Sequence, residues 1–248
     1  MKRLMLATAA LALTAGVASA QTVRLGTEGA YPPYNFINDA GEVDGFEREM
    51  GDELCTRAEL TCEWVTNEWD SIIPNLVSGN YDVIIAGMSI TEERDQVIDF
   101  TQGYIPPAAS AYAATSADID VKTGVIAAQA ATIQAGYVAE TGATLLEFAT
   151  PDETVAAVRN GEADAVFADK DYLVPIVEES GGELVWAGED VQLGGGVGLG
   201  IRESDAELRD KLDAAIASMK EDGTLNAMIV KWFGEGAAVW GEEDEGGK

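Results

Sequence analysis

Twice in this chain a glycine turn leads into an apolar run that closes on alanine. The first is Gly79-Asn80-Tyr81-Asp82-Val83-Ile84-Ile85-Ala86 and the second Gly161-Glu162-Ala163-Asp164-Ala165-Val166-Phe167-Ala168. A strand that is apolar at consecutive positions needs cover on both faces, and parallel sheets obtain that cover from the helices of strand–helix–strand units. The flanking pattern agrees. Thr22–Thr27 reads as a strand, Phe46, Met50, Leu54 and Ala58 form one apolar helix stripe at spacing four, and Cys62–Val65 is a strand again. A helix over Ser71–Ser78, with Pro74 limiting its first turn, leads to the strand Tyr81–Ala86. A second series follows: strand Thr123–Ala128, helix Thr132–Glu140, strand Leu145–Phe148, helix Pro151–Asn160 and strand Ala163–Ala168. Each series is βαβαβ, which predicts an α/β unit with a mostly parallel sheet. G-x-x-D is also a common helix-to-strand turn, so the repeat alone leaves a shared design of the two halves open.

Open α/β sheets bind ligands at the carboxyl ends of their strands, and the residues just past the two alanines are Gly87 and Asp169. Two such ends facing one another would form a cleft. Tyr104-Ile105-Pro106-Pro107 and Gly194-Gly195-Gly196 are natural crossing points between halves. After the second, Val197–Ile201 reads as a strand, Ser204-Asp205-Ala206-Glu207 as a capping box opening a helix to Lys220, and a last helix reaches Trp232-Phe233. Thr150-Pro151-Asp152-Glu153 is a second capping box, with proline at the first helical position. The expected division is a discontinuous first lobe over 21–107 and 196–240, a second lobe over 108–195, and a disordered, acidic, glycine-rich tail at 241–248.

The first twenty residues address the compartment. Lys2 and Arg3 precede an apolar core, Leu4 to Val17, and Ala18-Ser19-Ala20 supplies a cleavage site, so a signal peptide at 1–20 and a soluble periplasmic product are expected. In that oxidising compartment Cys55 and Cys62 read as a disulfide, with free thiols as the alternative. Fifteen basic against 44 acidic residues leave a formal charge of −29, and removing Lys2 and Arg3 gives 13 − 44 = −31. Nucleic acid and anionic membranes need a basic surface, which excludes both as partners. The chain has no histidine, so Ser-His-Asp and Cys-His nucleophile systems are impossible and zinc loses its commonest ligand. No cofactor or metal is implied, and a monomer is expected.

Further motifs narrow the field. They are Gly26-Thr27-Glu28-Gly29-Ala30-Tyr31-Pro32-Pro33-Tyr34, Val43-Asp44-Gly45-Phe46, Asp70-Ser71-Ile72-Ile73-Pro74-Asn75-Leu76 and Ala86-Gly87-Met88-Ser89-Ile90-Thr91-Glu92-Glu93-Arg94. Ala131-Thr132-Ile133-Gln134, the strand ending in Asp169, and Glu221-Asp222-Gly223-Thr224 follow in the same order. With these the chain resembles the periplasmic solute-binding proteins of ABC importers, polar amino-acid family (family 3), most like the arginine-, histidine- and lysine/arginine/ornithine-binding members. The resemblance implies the type II periplasmic-binding-protein fold: two Rossmann-like lobes joined by a two-strand hinge. It also implies capture of a polar, cationic L-amino acid, arginine first, by domain closure, and delivery to an ABC permease in the inner membrane.

The same resemblance assigns roles. Arg94 is in the position that makes a forked contact with the ligand α-carboxylate, for which a guanidinium offers two parallel donors. From spacing alone it would be a surface arginine paired with Glu92 or Glu93. Ser89 and the backbone of Gly87 accompany it, Met88 between them is counted among the ligand-binding residues, and Thr91 caps its helix. Thr132, Ile133 and Gln134, at a helix N-terminus, bring backbone N–H groups to the same carboxylate, and Asp169 partners the α-ammonium unless it serves only as a helix cap. Tyr31 and Trp69, with Tyr34 as a further wall, surround the side chain, and Glu28 meets its distal charge. Relatives read G-V-Q-x-G-T-x-Q where this chain has Ala127-Ala128-Gln129-Ala130-Ala131-Thr132-Ile133-Gln134, so alanines replace two glycines and weaken the assignments of Gln129 and Gln134. Other readings are an arogenate or cyclohexadienyl dehydratase on the same fold, with Glu28 or Asp169 as acid or base, a receptor-docking sensor, and a binder of another amino acid, an opine or ectoine.

Overall fold

A computed structural model describes residues 22–241. The signal peptide expected at 1–20 and all but the first residue of the tail expected at 241–248 lie outside the described residues.

The chain begins with β1 (Thr22–Thr27), two short strands β2 (Ala30–Tyr31) and β3 (Asn35–Ile37), and β4 (Val43–Asp44), the last three forming a small antiparallel sheet. Helix α1 (Phe46–Arg57) buries Phe46, Met50 and Leu54, the stripe at spacing four. β5 (Thr61–Thr66) then runs parallel to β1 with Thr22 opposite Thr61 and Thr27 opposite Thr66. The Cys55–Cys62 disulfide ties the last turn of α1 to the start of β5. A 3₁₀ turn at Trp69–Ser71 precedes α2 (Ile72–Val77), β6 (Val83–Ile84), the single turn α3 (Glu92–Asp95) and β7 (Asp99–Phe100).

The second lobe takes over at β8 (Ala109–Ala114) and continues through β9 (Val125–Gln129), α4 (Ile133–Glu140), β10 (Thr144–Phe148), α5 (Pro151–Arg159), β11 (Ala165–Asp169), α6 (Lys170–Glu179) and β12 (Val185–Gln192). The chain returns to the first sheet with β13 (Gly200–Ile201) and ends in α7 (Ala206–Glu221) and α8 (Thr224–Phe233). The sheet orders are β5-β1-β6-β13-β7 and β10-β9-β11-β8-β12. In each, four strands run one way and a single interior strand, β13 or β8, runs against them between its two neighbours, so each sheet is mixed with one reversed strand. The cause is the crossing: the strand that enters a lobe from the other, β8 or β13, runs back along it. The crossing segments pair with each other, Tyr104 N–H donating to the Val197 carbonyl at 2.7 Å and Val197 N–H to Ile105 at 3.0 Å.

The repeated G-x-x-D turn has one physical cause in both lobes. Asp82 accepts the Arg24 N–H at 3.0 Å and gives its own N–H to the Arg24 carbonyl at 2.9 Å. Asp164 does the same with Val125, at 2.7 and 2.8 Å. Each carboxylate thus satisfies an N–H of the neighbouring central strand one residue before the ladder between the two strands begins.

Two expectations change. The strand expected over Tyr81–Ala86 forms a ladder only at Val83–Ile84, since β13 is just two residues long beside it. The expected Ser204 capping box is absent: α7 starts at Ala206, Ser204 donates to Asp205 at 2.9 Å, and Asp205 is held by Arg202 in an ion pair of 2.5 Å. The Thr150 capping box is present as expected. Leu212, Ile216, Met219, Leu225 and Ile229 of α7 and α8 join α1 on one face of the first sheet, while Ile72, Leu76, Tyr81, Ile84 and Ile98 pack on the other. Burying these faces is the main stabilising term of each lobe.

Candidate functional site

The carboxyl ends of β1, β6, β9 and β11 and the N-terminus of α4 converge on a cavity between the lobes. Ten residues singled out from the sequence fall on its wall: Glu28, Tyr31, Trp69, Gly87, Ser89, Arg94, Thr132, Ile133, Gln134 and Asp169. Met88 does not. Its side chain is fully buried among Trp69, Ile72, Leu76 and Tyr81, because alternate residues of an extended segment face opposite ways and both its neighbours face the cavity. Tyr34 is also absent from the wall, wedged edge-on against Phe233 at 4.8 Å. Ala86 and Gln129 complete the lining.

Arg94 is carried on α3, whose first turn is capped by Thr91 Oγ1 accepting the Arg94 N–H at 3.2 Å. Its Nη1 donates to the Ser89 carbonyl at 2.9 Å and its Nη2 to the Ala131 carbonyl at 3.3 Å, and the guanidinium stands 5.3 Å from the centre of the Trp69 ring. Among the described residues it makes no ion pair, so the surface pairing with Glu92 or Glu93 is not found. Burial pushes its pKa down to about 10, which leaves it charged at neutral pH.

Asp169 ends β11 and accepts from the Tyr31 hydroxyl at 2.8 Å, across the cleft, and from Gln134 Nε2 at 2.9 Å. It stands at the N-cap position of α6, yet its side chain makes no capping bond. Burial pushes its carboxyl up to about 6, against the pull of the Tyr31 and Gln134 donors and Arg94. Glu28 accepts from Gln129 Nε2 at 2.6 Å, also across the cleft, and burial raises its carboxyl to about 7. One face of the Tyr31 ring is stacked on Tyr172 at 4.3 Å, so a ligand can meet only the other.

Thr132 caps α4 by accepting the Ala135 N–H at 3.1 Å, and Thr132, Ile133 and Gln134 at this helix N-terminus line the cavity; the end of a helix where N–H groups lack intrahelical partners favours an anion. The alanine at 131, where relatives carry glycine, keeps a left-handed backbone at φ 58°. Its carbonyl accepts both the Arg94 guanidinium and the Trp69 indole, at 3.3 and 3.2 Å. Tyr172, on α6, was not singled out from the sequence; an aromatic three residues beyond Asp169 is its only signal.

Residues 23–235 match the bacterial extracellular solute-binding proteins, family 3. The chain is 29% identical over 247 residues to the lysine/arginine/ornithine-binding periplasmic protein of Escherichia coli (strain K12), covering 90% of this chain and 95% of that one. It is 30% identical over 243 residues to the histidine-binding periplasmic protein of the same strain, covering 90% and 91%. Among solved structures it is similar to a periplasmic His/Glu/Gln/Arg/opine family-binding protein from Silicibacter pomeroyi in complex with lysine. That match has 79% identity and a TM-score of 0.87, and covers 88% of this chain and 100% of the other.

Proposed function

This chain belongs to the bacterial extracellular solute-binding proteins, family 3, and from that membership we propose that it captures a cationic L-amino acid in the periplasm for an ABC permease. It is a transport component and not an enzyme, since its relatives are substrate-binding proteins, and the dehydratase reading lapses. The observation that carries the ligand class is the charge of the cavity wall: two carboxylates, Glu28 and Asp169, against one guanidinium, Arg94. The head group of an amino acid is zwitterionic and pairs with Arg94 and Asp169, which leaves Glu28 unmatched. A side-chain cation neutralises it. Because an unpaired buried charge is costly, a neutral or acidic ligand is disfavoured.

In this reading Arg94 and the N-terminus of α4 hold the α-carboxylate. Asp169 takes the α-ammonium together with Ser89 and the backbone of Gly87, while Tyr31 and Trp69 flank the side chain that ends at Glu28. Residues 108–195 close against 21–107 and 196–240 on the paired crossing segments, so each lobe contributes part of the site and the ligand favours the closed state. The lysine held by the 79%-identical Silicibacter pomeroyi protein supports lysine beside arginine.

The test is calorimetry across the standard L-amino acids, opines and ectoine. Lysine or arginine should bind tightest; glutamine, glutamate or aspartate binding tightest would overturn the assignment of Glu28.

A further inference from the structure

Glu47, in the first turn of α1, is fully buried and has no cationic partner among the described residues. A lone interior carboxylate is costly, and an apolar side chain would fill the same space at less expense of stability. Three neutral donors converge on it instead. The Gly87 N–H reaches Oε1 at 2.6 Å, the Tyr104 hydroxyl donates to the same oxygen, and Asn35 Nδ2 reaches Oε2 at 2.7 Å. Burial pushes this carboxyl up, and the three donors pull it back.

What those donors belong to gives the group its meaning. Gly87 lines the cavity. Asn35, itself fully buried, uses its Oδ1 to accept the N–H of Gly29 at 2.7 Å, and Gly29 follows Glu28. Both glycines are left-handed, φ 61° at Gly87 and 72° at Gly29, so each N–H is turned out of the strand ladder and a side chain has to hold it. Tyr104 lies on the segment where the chain crosses between lobes, bonded through its backbone to Val197.

We propose that Glu47 is a positioning residue for the amino-acid site: acting on Gly87 directly and on Gly29 through Asn35, its carboxylate fixes both first-lobe loops of the cavity to the crossing segment. Only an acceptor at both oxygens can do this, because all three converging groups donate. The inference rests on the binding function proposed above, and it concerns a residue that does not touch the ligand.

The test uses the mature protein and two readouts: amide hydrogen exchange at Gly29 and Gly87 without ligand, and calorimetric affinity for L-lysine and L-arginine. Glu47→Gln sets an amide donor against Asn35. Exchange at both glycines should speed up at least tenfold, and affinity for whichever of the two amino acids the parent binds should fall about tenfold. The double variant Asn35→Asp with Glu47→Gln reverses donor and acceptor in that one bond, and should return both readouts to within threefold of the parent. Packing alone predicts no such rescue. If Glu47→Gln leaves both readouts within threefold, or the double variant fails to rescue them, the proposal is wrong. Should Glu47→Gln not fold, Asn35→Ala decides: faster exchange at Gly29 with weaker binding supports the relay, and unchanged values overturn it. A parent that binds neither amino acid overturns the ligand class, while the exchange rates still judge Glu47 by themselves.

Discussion

Arg94 spends two of its five N–H donors on the Ser89 and Ala131 carbonyls, which fixes the plane of the guanidinium and leaves three donors for a ligand. Stacking on Trp69 holds it from a third side. We therefore expect Arg94→Ala to leave the melting behaviour near that of the parent while lysine or arginine affinity drops by about 1.5–3 kcal/mol or more, the range for a charged hydrogen bond. Calorimetry checks this, and affinity within threefold of the parent would contradict it. Arg94→Lys should recover little, because a point charge cannot reproduce the fork. Residues of this kind came from the resemblance and not from local pattern: spacing alone would have left Arg94 a surface arginine paired with Glu92 or Glu93, and Asp169 a helix cap. The side chains of Met88 and Tyr34 stand off the cavity wall because the motifs that hold them say nothing of which neighbour turns inward. The alternation of an extended segment decides that for Met88, and packing on Phe233 decides it for Tyr34.

Among the elements, the helix starts at Thr91, Thr132 and Thr150 could be read from sequence, since capping involves residues three apart. Ser204 fails the same rule because Arg202 competes for Asp205, a contact that spacing alone does not rank. The interior strand β8 and the edge strand β12 had no comparable signal. β8 reads Ala-Ser-Ala-Tyr-Ala-Ala, and its partners lie more than fifty residues away in sequence. The disulfide belongs to this scale too. It joins α1 to the second residue of β5, the end of the strand remote from the cavity, which gathers at the carboxyl ends. Replacing Cys55 and Cys62 together by serine should lower unfolding stability by about 2–3 kcal/mol in the chain-entropy account and leave ligand affinity unchanged. Denaturant melts and calorimetry on the same preparation separate the two, and a loss of affinity with intact stability would show that the bridge reaches the site.

At the scale of the whole molecule, two lobes were visible in the sequence as two βαβαβ series, whereas the bonds between them were not. Tyr31 to Asp169, Gln129 to Glu28 and Trp69 to Ala131 join residues 138, 101 and 62 positions apart, and no local pattern encodes such pairs. These contacts close the cavity and desolvate its carboxylates, with Glu28 raised to about 7 and Asp169 to about 6. A cationic ligand favours the ionised forms and pulls both pKa values back down. Below about 7 the protein without ligand therefore holds protons that the complex does not, so binding releases protons and affinity falls as pH falls through that window. Above it both carboxylates are ionised in either state and affinity levels off. Lysine should accordingly bind on the order of tenfold or more weakly at pH 5 than at pH 8. Glu28→Gln should remove the part of the slope between pH 6 and 8, and keep the part below about 6 that belongs to Asp169. Titrations at four pH values in buffers of different ionisation enthalpy measure both the slope and the proton release; a flat profile from pH 5 to 8 would mean that closure does not desolvate these carboxylates before the ligand arrives.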